Sequence, residues 1–161
     1  RNIGYVGNCR NEDRYNGYLD TLKRNNLDLI PEYVVETNQT EKEGYEAMEQ
    51  LLKADDCPTG IYCANDITAV GMLKYLGRCR NLYFTPSIIA SDDIEEAQYT
   101  KPMLTTVGLP KEEMGKFALY LLLDRMKGGH SGVVRMELSG HLMIRNSCSH
   151  VSESTWSDYC I

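Results

Sequence analysis

The stretch Thr59–Leu76, TGIYCANDITAVGMLKYL, decides the fold, because it reads as a strand, a polar turn and a helix in that order. Residues 59–64 form a short run rich in apolar side chains, which is typical of a buried strand. Asn65 and Asp66 follow it, and apolar residues then recur every three or four positions to the end of the stretch. That spacing predicts a helix directly after the turn.

The same unit occurs twice before this stretch, and its strand occurs once more after it. Ile3–Gly7 and Tyr33–Val35 are short apolar strands, and helical patterns follow them over 14–25 and 45–53. Ser87–Ala90 is the predicted fourth strand. Strands that alternate with helices at this spacing form a parallel sheet with helices on both faces. The sequence therefore predicts an α/β fold with a doubly wound parallel sheet.

Polar residues follow each of the four predicted strands. Ligands of doubly wound sheets bind outside the carboxyl ends of the strands, and those ends meet at one edge. We therefore expect a binding site at that edge. The residues concerned are 8–14, 37–39, Asn65–Asp66 and Ser91–Asp93.

Arg14 is the first candidate for contact with a ligand, because its guanidinium can donate two hydrogen bonds to vicinal hydroxyls or to a carboxylate. Its alternative role is a surface salt bridge to Asp13 or Asp92. The Asp92 carboxylate can accept hydrogen bonds from two ligand hydroxyls, although Asp92 or Asp93 could instead cap the next helical turn. We assign Asp92 to the ligand and Asp93 to structure.

Asn65 can donate and accept hydrogen bonds at once, which suits a sugar hydroxyl. Its alternative role is to cap the helix that follows it. We predict that Asp66 is the cap and that Asn65 contacts the ligand. Asn38 and Gln39 are further candidates for lining the site.

The composition argues against several function classes. With a net charge of -6 over 161 residues, the chain gains nothing from counterion release on DNA, so we do not expect it to contact nucleic acid itself. No apolar run approaches the ~20 residues of a membrane span. The sequence has no G-x-S-x-G motif, G-x-G-x-x-G motif or P-loop. We therefore predict neither an enzyme nor a cofactor.

The six cysteines permit disulfides by their even number, but another interpretation is favoured. None forms a C-x-x-C pair and no histidine lies at ligand spacing from one, so no metal site is predicted. Cys63 lies in an apolar run, where a buried thiol behaves as a small hydrophobic group. Reduced thiols and a cytoplasmic location are the expectation.

The last third of the chain has a different pattern. Pro102–Val107 is predicted to be an extended linker, and residues 110–126 a helix with one apolar stripe. Val133–Leu138 and His141–Ile144 are predicted strands. The segment 148–161 is polar and aperiodic, so we expect a flexible tail.

A series of motifs resembles the lactose-repressor/galactose-repressor family of transcription regulators. Each motif is weak alone, but their common order and spacing over residues 3–147 is specific. The motifs are Ile3–Gly7, Arg14–Tyr18, Ala64–Asp66 with Ala69 and Gly71, Ser91–Asp93, Pro102–Val107, Gly115 with Ala118, and Arg145–Ser147.

The resemblance implies a periplasmic-binding-protein-like fold of two subdomains with a sugar or similar small effector in the cleft between them. It implies that residues 1–104 form the core of the C-terminal subdomain and that 105–140 belong to the N-terminal subdomain of the intact family. Residues 141–147 would be the returning strand. The expected fold is therefore a truncated subdomain with a crossover helix and two late strands.

The resemblance also implies a repressor that binds DNA only through an N-terminal head absent from this chain, with no membrane partner. The alternative is the sugar-binding component of a transport system with the same fold. A homodimer is expected, because Val70, Tyr99 and Thr100 lie where the family makes its dimer contacts; their alternative role is core packing. Truncation would leave the 110–126 helix uncovered, and we expect self-association to bury its stripe.

Overall fold

The computed structural model describes residues 2–10, 12–53, 57–79 and 85–149, in which strands and helices alternate. The strands are β1 (Ile3–Gly7), β2 (Val34–Glu36), β3 (Gly60–Cys63), β4 (Ser87–Asp92), β5 (Thr105–Gly108) and β6 (His141–Met143). The helices are α1 (Asp13–Arg24), α2 (Glu41–Lys53), α3 (Asp66–Arg78) and α4 (Lys111–Met126), with short 3-10 turns at Pro31–Tyr33 and Glu95–Gln98.

The six strands form one sheet in the order β2-β1-β3-β4-β5-β6. The first five are parallel to their neighbours, and β6 is antiparallel to β5. Helices α2 and α3 cover one face, where Val6, Ile61 and Ile88 are buried against Met48 and Met72. Helix α1 covers part of the other face. The predicted α/β fold with a doubly wound sheet is confirmed.

Two predictions about the crossover region were wrong. Residues 105–107, predicted as linker, belong to β5, where Thr105 and Thr106 are buried between β4 and β6. The segment 133–138, predicted as a strand, forms none, and its Val133 is 96% exposed. A strand needs a neighbour for its backbone hydrogen bonds, and no described strand lies beside this segment.

Helix α4 is apolar on all sides, so the prediction of a single stripe was also wrong. None of its residues is buried, and exposed apolar side chains occur at consecutive positions. A helix with this composition is normally enclosed by other elements. The exposed members are Met114, Phe117, Leu119, Tyr120, Leu122, Leu123 and Met126.

The chain after β6 is built into the sheet through Ser147, which is fully buried between β4 and β5. Its Oγ donates to the Ile88 carbonyl at 2.6 Å and accepts from the Thr105 N–H at 2.8 Å. Cys148 and Ser149, the first two residues of the predicted tail, also hydrogen-bond to β4. The remainder of that prediction lies outside the described residues.

The described thiols include a fully buried one, Cys63, whose burial raises its pKa to about 12. Cys9, Cys79 and Cys148 also form no disulfide. Among the residues that the structure describes, no helix has the length and apolar character needed to cross a bilayer.

Candidate functional site

The carboxyl edge of the sheet brings the predicted polar residues together in two pairs. The loops that follow β1 to β4 all leave the parallel strands at this edge. Arg14 on α1 contacts Asp92 at the end of β4, and Asn65 after β3 contacts Gln39 after β2. The sequence thus located the edge correctly.

Arg14 and Asp92 form an ion pair with 3.1 Å between Nη2 and Oδ1. Both side chains are about one third exposed, so the pair is open to solvent and to a ligand. Burial raises the pKa of Asp92, although the charges of Arg14 and Lys111 act in the opposite direction. The pair therefore presents a charged donor and a charged acceptor side by side, an arrangement that can engage neighbouring hydroxyl groups of one ligand.

The backbone at this point has an unusual conformation. Asp92 and Asp93 have φ angles of 119° and 48°, in the region that favours glycine. Residues held in such conformations cost free energy and cluster at ligand sites, where neighbouring contacts hold them. Here the contacts are the Arg145 guanidinium, 2.6 Å from the Asp93 carboxylate, and Lys111 Nζ, which donates to the Asp93 carbonyl. Asp93 therefore takes part in holding the fold, although neither it nor Asp92 caps the turn at Glu95–Gln98, whose N-cap is Ile94 without a side-chain cap hydrogen bond.

The assignment of the helix cap was wrong. Asn65 is the N-cap of α3, because its Oδ1 accepts a hydrogen bond from the Thr68 N–H at 3.1 Å. Asp66 is instead fully buried, where it accepts from the Thr106 hydroxyl and from the Ile94 N–H. Burial raises the pKa of Asp66. The Asn65 amide nitrogen donates to the Gln39 carbonyl at 3.3 Å. A contact between Asn65 and a ligand would therefore be a second role, beside its role as the helix cap.

Asn38 and Gln39 form the turn that leads into α2. Glu43 accepts from the Asn38 N–H and side-chain amide at 2.8 and 2.7 Å and interacts with the Thr40 hydroxyl. These hydrogen bonds lower the pKa of Glu43. Gln39 has a φ of 62°, and its half-buried side chain forms no hydrogen bond or ion pair with the described residues. Of these two candidates, Gln39 is therefore the better placed for a ligand.

Sequence reasoning missed the residues that connect the site to the crossover segments. Arg145 joins the chain after β6 to the end of β4, and Thr106 joins β5 to the start of α3 through Asp66. The terminal Arg-x-Ser motif was the only signal for Arg145, and it did not indicate which residue the Arg145 side chain contacts. Thr106 lies within the Pro102–Val107 motif, but no role was predicted for it because that segment was interpreted as a linker.

The three dimer candidates line one surface groove of about 550 Å³ between α3 and the 3-10 turn at 95–98. Val70 is 5% exposed and packs in α3, whereas Tyr99 is 75% exposed. The Thr100 hydroxyl donates to the Ala97 carbonyl. Core packing accounts for Val70 but leaves the Tyr99 ring without a role in the fold.

No cluster suited to a metal ion occurs within 2–10, 12–53, 57–79 and 85–149. Within these residues, His130 Nδ1 lies 2.6 Å from Asp124 Oδ2, at the end of α4. It lies in the turn closed by Gly128, away from the carboxyl edge of the sheet.

Known proteins of similar sequence share this architecture. Residues 1–148 match the model of the periplasmic binding protein-like domain. The HTH-type transcriptional repressor CytR of Escherichia coli K12 is 36% identical over 136 residues, which cover 83% of this chain and 40% of that protein. The HTH-type transcriptional repressor PurR of Haemophilus influenzae is 32% identical over 142 residues, or 86% of this chain and 42% of that protein.

A solved structure agrees with the sequence relatives. The transcriptional regulator of the LacI family from Enterococcus faecium, determined with bound ribose, superposes with a TM-score of 0.80 at 26% identity. The match covers 91% of this chain and 56% of that one. The chain thus spans less than half of the two curated repressors and a little more than half of the solved regulator.

Proposed function

Because the chain belongs to the lactose-repressor/galactose-repressor family, with its periplasmic-binding-protein-like fold, we propose that it is the effector-binding part of a transcriptional repressor. The observation that carries the proposal is the solvent-accessible Arg14–Asp92 pair at the carboxyl edge of the sheet. Binding there controls the DNA affinity of the whole protein, whose DNA-binding head lies outside this chain. Such control requires that the effector bind one conformation more tightly than the other.

The proposed effector is a sugar or a similar polyhydroxylated molecule. Arg14 donates to adjacent ligand oxygens while Asp92 accepts from hydroxyls, and Asn65, Gln39 and Asn38 line the same edge. The ribose held by the Enterococcus faecium regulator supports this class. The side-chain amides of Asn38 and Gln39 favour a ligand with many hydroxyls.

The second wall of the cleft is proposed to come from a part of the repressor outside this chain. Residues 109–140 then belong to that second subdomain, because Thr105–Gly108 is strand β5 of this sheet, and 141–147 return to the sheet as β6 and the Ser147 segment. Helix α4 has apolar side chains around its whole circumference and no buried residue, which supports this division, because packing against the second subdomain would cover those side chains. Self-association through α4 is the alternative for the chain by itself.

The proposed assembly is a cytoplasmic homodimer without catalytic activity. Val70, Tyr99 and Thr100 are its contact residues, and the exposed Tyr99 ring is the feature that favours an interface over core packing. Small molecules and, through the head, DNA are its partners. The rival proposal, a transport component, is less well supported because the curated relatives CytR and PurR are both repressors.

The experiment is a thermal-shift panel of sugars that includes ribose, performed on the longer protein that contains this chain. A sugar at about 100 times its dissociation constant adds about 2.7 kcal/mol of stability, which raises the midpoint visibly. The shift should fall to about half or less in Arg14→Ala, because tenfold weaker binding leaves about 1.4 kcal/mol, and should persist in full in Arg78→Ala, whose arginine lies at the far end of α3. No shift from any sugar, or a shift that Arg14→Ala leaves unchanged, would contradict the proposal.

A further inference from the structure

The first residue of α4 contacts the turn that carries Asp92. Lys111 Nζ donates a hydrogen bond to the Asp93 carbonyl at 3.0 Å. Asp92 and Asp93 both have positive φ angles, so the turn is held in a conformation that costs free energy. Such a turn keeps its shape only while neighbouring groups hold it, and Lys111 is one of those groups.

Helix α4 itself gives no reason for a lysine at this position. The amino end of a helix carries a partial positive charge, so a cation in the first turn is unfavourable there. Lys111 is exposed and has Glu112 and Glu113 beside it in sequence, yet it forms no ion pair with a carboxylate in the part of the chain that the structure describes. Its contact with the strained turn therefore accounts for the lysine better than the helix does.

Lys111 also acts on the charge of the Asp92 carboxylate. Burial raises the pKa of Asp92, and the positive charges of Arg14 and Lys111 lower it. Two further carboxylates are near: Glu12, just before α1, raises the pKa of Asp92, and the charge of Asp92 raises the pKa of Asp66 in α3. Asp92 thus has a cation from each of two helices, Arg14 from α1 and Lys111 from α4.

The two cations have different roles. Arg14 forms an ion pair with Asp92 and is open to a ligand. Lys111 forms no such pair, because its ammonium is bound to the Asp93 carbonyl one residue further on. The Arg145 guanidinium holds the Asp93 carboxylate, so the turn is fixed both through a carbonyl and through a side chain.

We propose that Lys111 is a positioning residue of the effector site, which fixes the Asp92–Asp93 turn from the first turn of α4 and so directs the Asp92 carboxylate towards the effector. The inference rests on the proposed function, because Asp92 is there the group that accepts hydrogen bonds from the effector. Since that proposal assigns α4 to the second subdomain, the Lys111 contact also ties the site to the segment that crosses between the subdomains.

The first test is the titration of Asp92 by carbon-13 NMR in the longer protein, labelled at its aspartate carboxyl carbons and free of ligand. Lys111→Met removes the charge and the hydrogen bond, whereas Lys111→Arg keeps a charge and donors. Lys116→Met is the matched control, because Lys116 lies in the same helix and pairs with Glu112 instead.

We expect the pKa of Asp92 to be higher in Lys111→Met than in the parent and to be unchanged in Lys111→Arg and Lys116→Met. Circular dichroism confirms that each variant folds. His141, which lies beside Gly108 and Asp93, and Arg145 are retained throughout, so their charges do not affect the comparison. The proposal is overturned if Asp92 titrates alike in Lys111→Met and the parent, or if Lys116→Met shifts its titration equally.

The second test is calorimetric titration of ribose, the sugar bound by the Enterococcus faecium regulator, into the parent and the three variants. At neutral pH, Lys111→Met should bind about threefold to tenfold more weakly, as the loss of one hydrogen bond predicts, and Lys111→Arg should bind within about twofold of the parent. Affinity should fall as the pH decreases through the pKa of Asp92, and the fall should begin at higher pH in Lys111→Met. A purely structural role in α4 would not move that profile.

Equal affinity and an equal pH profile in Lys111→Met and the parent would overturn the proposal. A parent that does not bind ribose would contradict the choice of sugar instead, and the titration of Asp92 would then decide the role of Lys111 by itself.

Discussion

The replacement of Gly71 by alanine should strongly destabilise the chain, although the same change normally stabilises a helix. Helices α2 and α3 cross so closely that a Cβ on Gly71 would overlap the Glu41 carbonyl oxygen and lie 2.9 Å from the Tyr45 nitrogen. Gly44 is in the reciprocal position against the Thr68 carbonyl. These neighbours are backbone atoms, so the two helices would have to move apart and loosen the core beneath them.

The expected cost follows from two opposing effects. Overpacking of a well-packed core costs about 1–3 kcal/mol and sometimes more, and a rigid backbone neighbour places this site at the upper end. The higher helix propensity of alanine offsets only about 0.5–1 kcal/mol of this cost. We expect a net loss of about 2–3 kcal/mol in the free energy of unfolding, which corresponds to a melting midpoint lower by roughly 4–12 °C.

The assay is urea unfolding followed by circular dichroism, with thermal melting as a second measure. Gly77→Ala is the matched control, because Gly77 lies in the same helix and an added Cβ there meets nothing within 4 Å. That variant should be as stable as the parent or up to about 1 kcal/mol more stable. The reasoning about the helix crossing fails if Gly71→Ala is as stable as Gly77→Ala.

Three further changes have defined outcomes. Asn65→Ala removes the helix cap that accepts a hydrogen bond from the Thr68 N–H, and it should lower the free energy of unfolding in urea by about 1 kcal/mol. An unchanged unfolding midpoint would mean that Asn65 is not the residue that caps α3. Ser147→Ala removes the acceptor of the buried Thr105 N–H and leaves Cys148 Sγ as the side-chain donor to the Ile88 carbonyl, so it should cost about 1–3 kcal/mol in the same assay, whereas no loss would mean that water replaces the hydroxyl. Because burial raises the folded-state pKa of Asp66, its contribution to stability should fall as pH rises from the ordinary value of 3.8 through the raised one. Asp66→Asn cannot titrate at that position, so unfolding free energies measured across that range should decline more steeply in the parent than in the variant, which keeps the raised pKa of Asp92. Parallel curves would contradict the assignment.

The sequence predicted those parts of the fold whose signal is local. The strands that begin at Ile3, Gly60 and Ser87 are short apolar runs, and the helices that follow the first two have regular spacing, so their positions were predicted within a few residues. β5 was missed because Thr105–Gly108 has no apolar run, and its burial depends on pairing with distant β4 and β6. Val133–Leu138 has the composition of a strand, but its local preference cannot supply a hydrogen-bonding neighbour.

The candidate site was predictable in location but not in detail. The topology alone places the ends of parallel strands at one edge, which is why Arg14 and Asp92 were found together. Asn and Asp are nearly equal as helix caps, so the sequence could not decide between Asn65 and Asp66. The difference comes from Thr106, which lies 40 residues away and draws the Asp66 carboxylate into the core.

The most direct measurement for the central claim is isothermal titration calorimetry of the longer repressor with the sugar that shifts its melting midpoint most. A charged hydrogen bond contributes about 1.5–3 kcal/mol, so Arg14→Ala and Asp92→Asn should each weaken binding by at least about tenfold. Arg78→Ala, the distant control, should bind as the parent does. A tenfold change in affinity corresponds to about 1.4 kcal/mol. If either site variant binds the sugar within about twofold of the parent's affinity, the result would contradict an effector site at the Arg14–Asp92 pair.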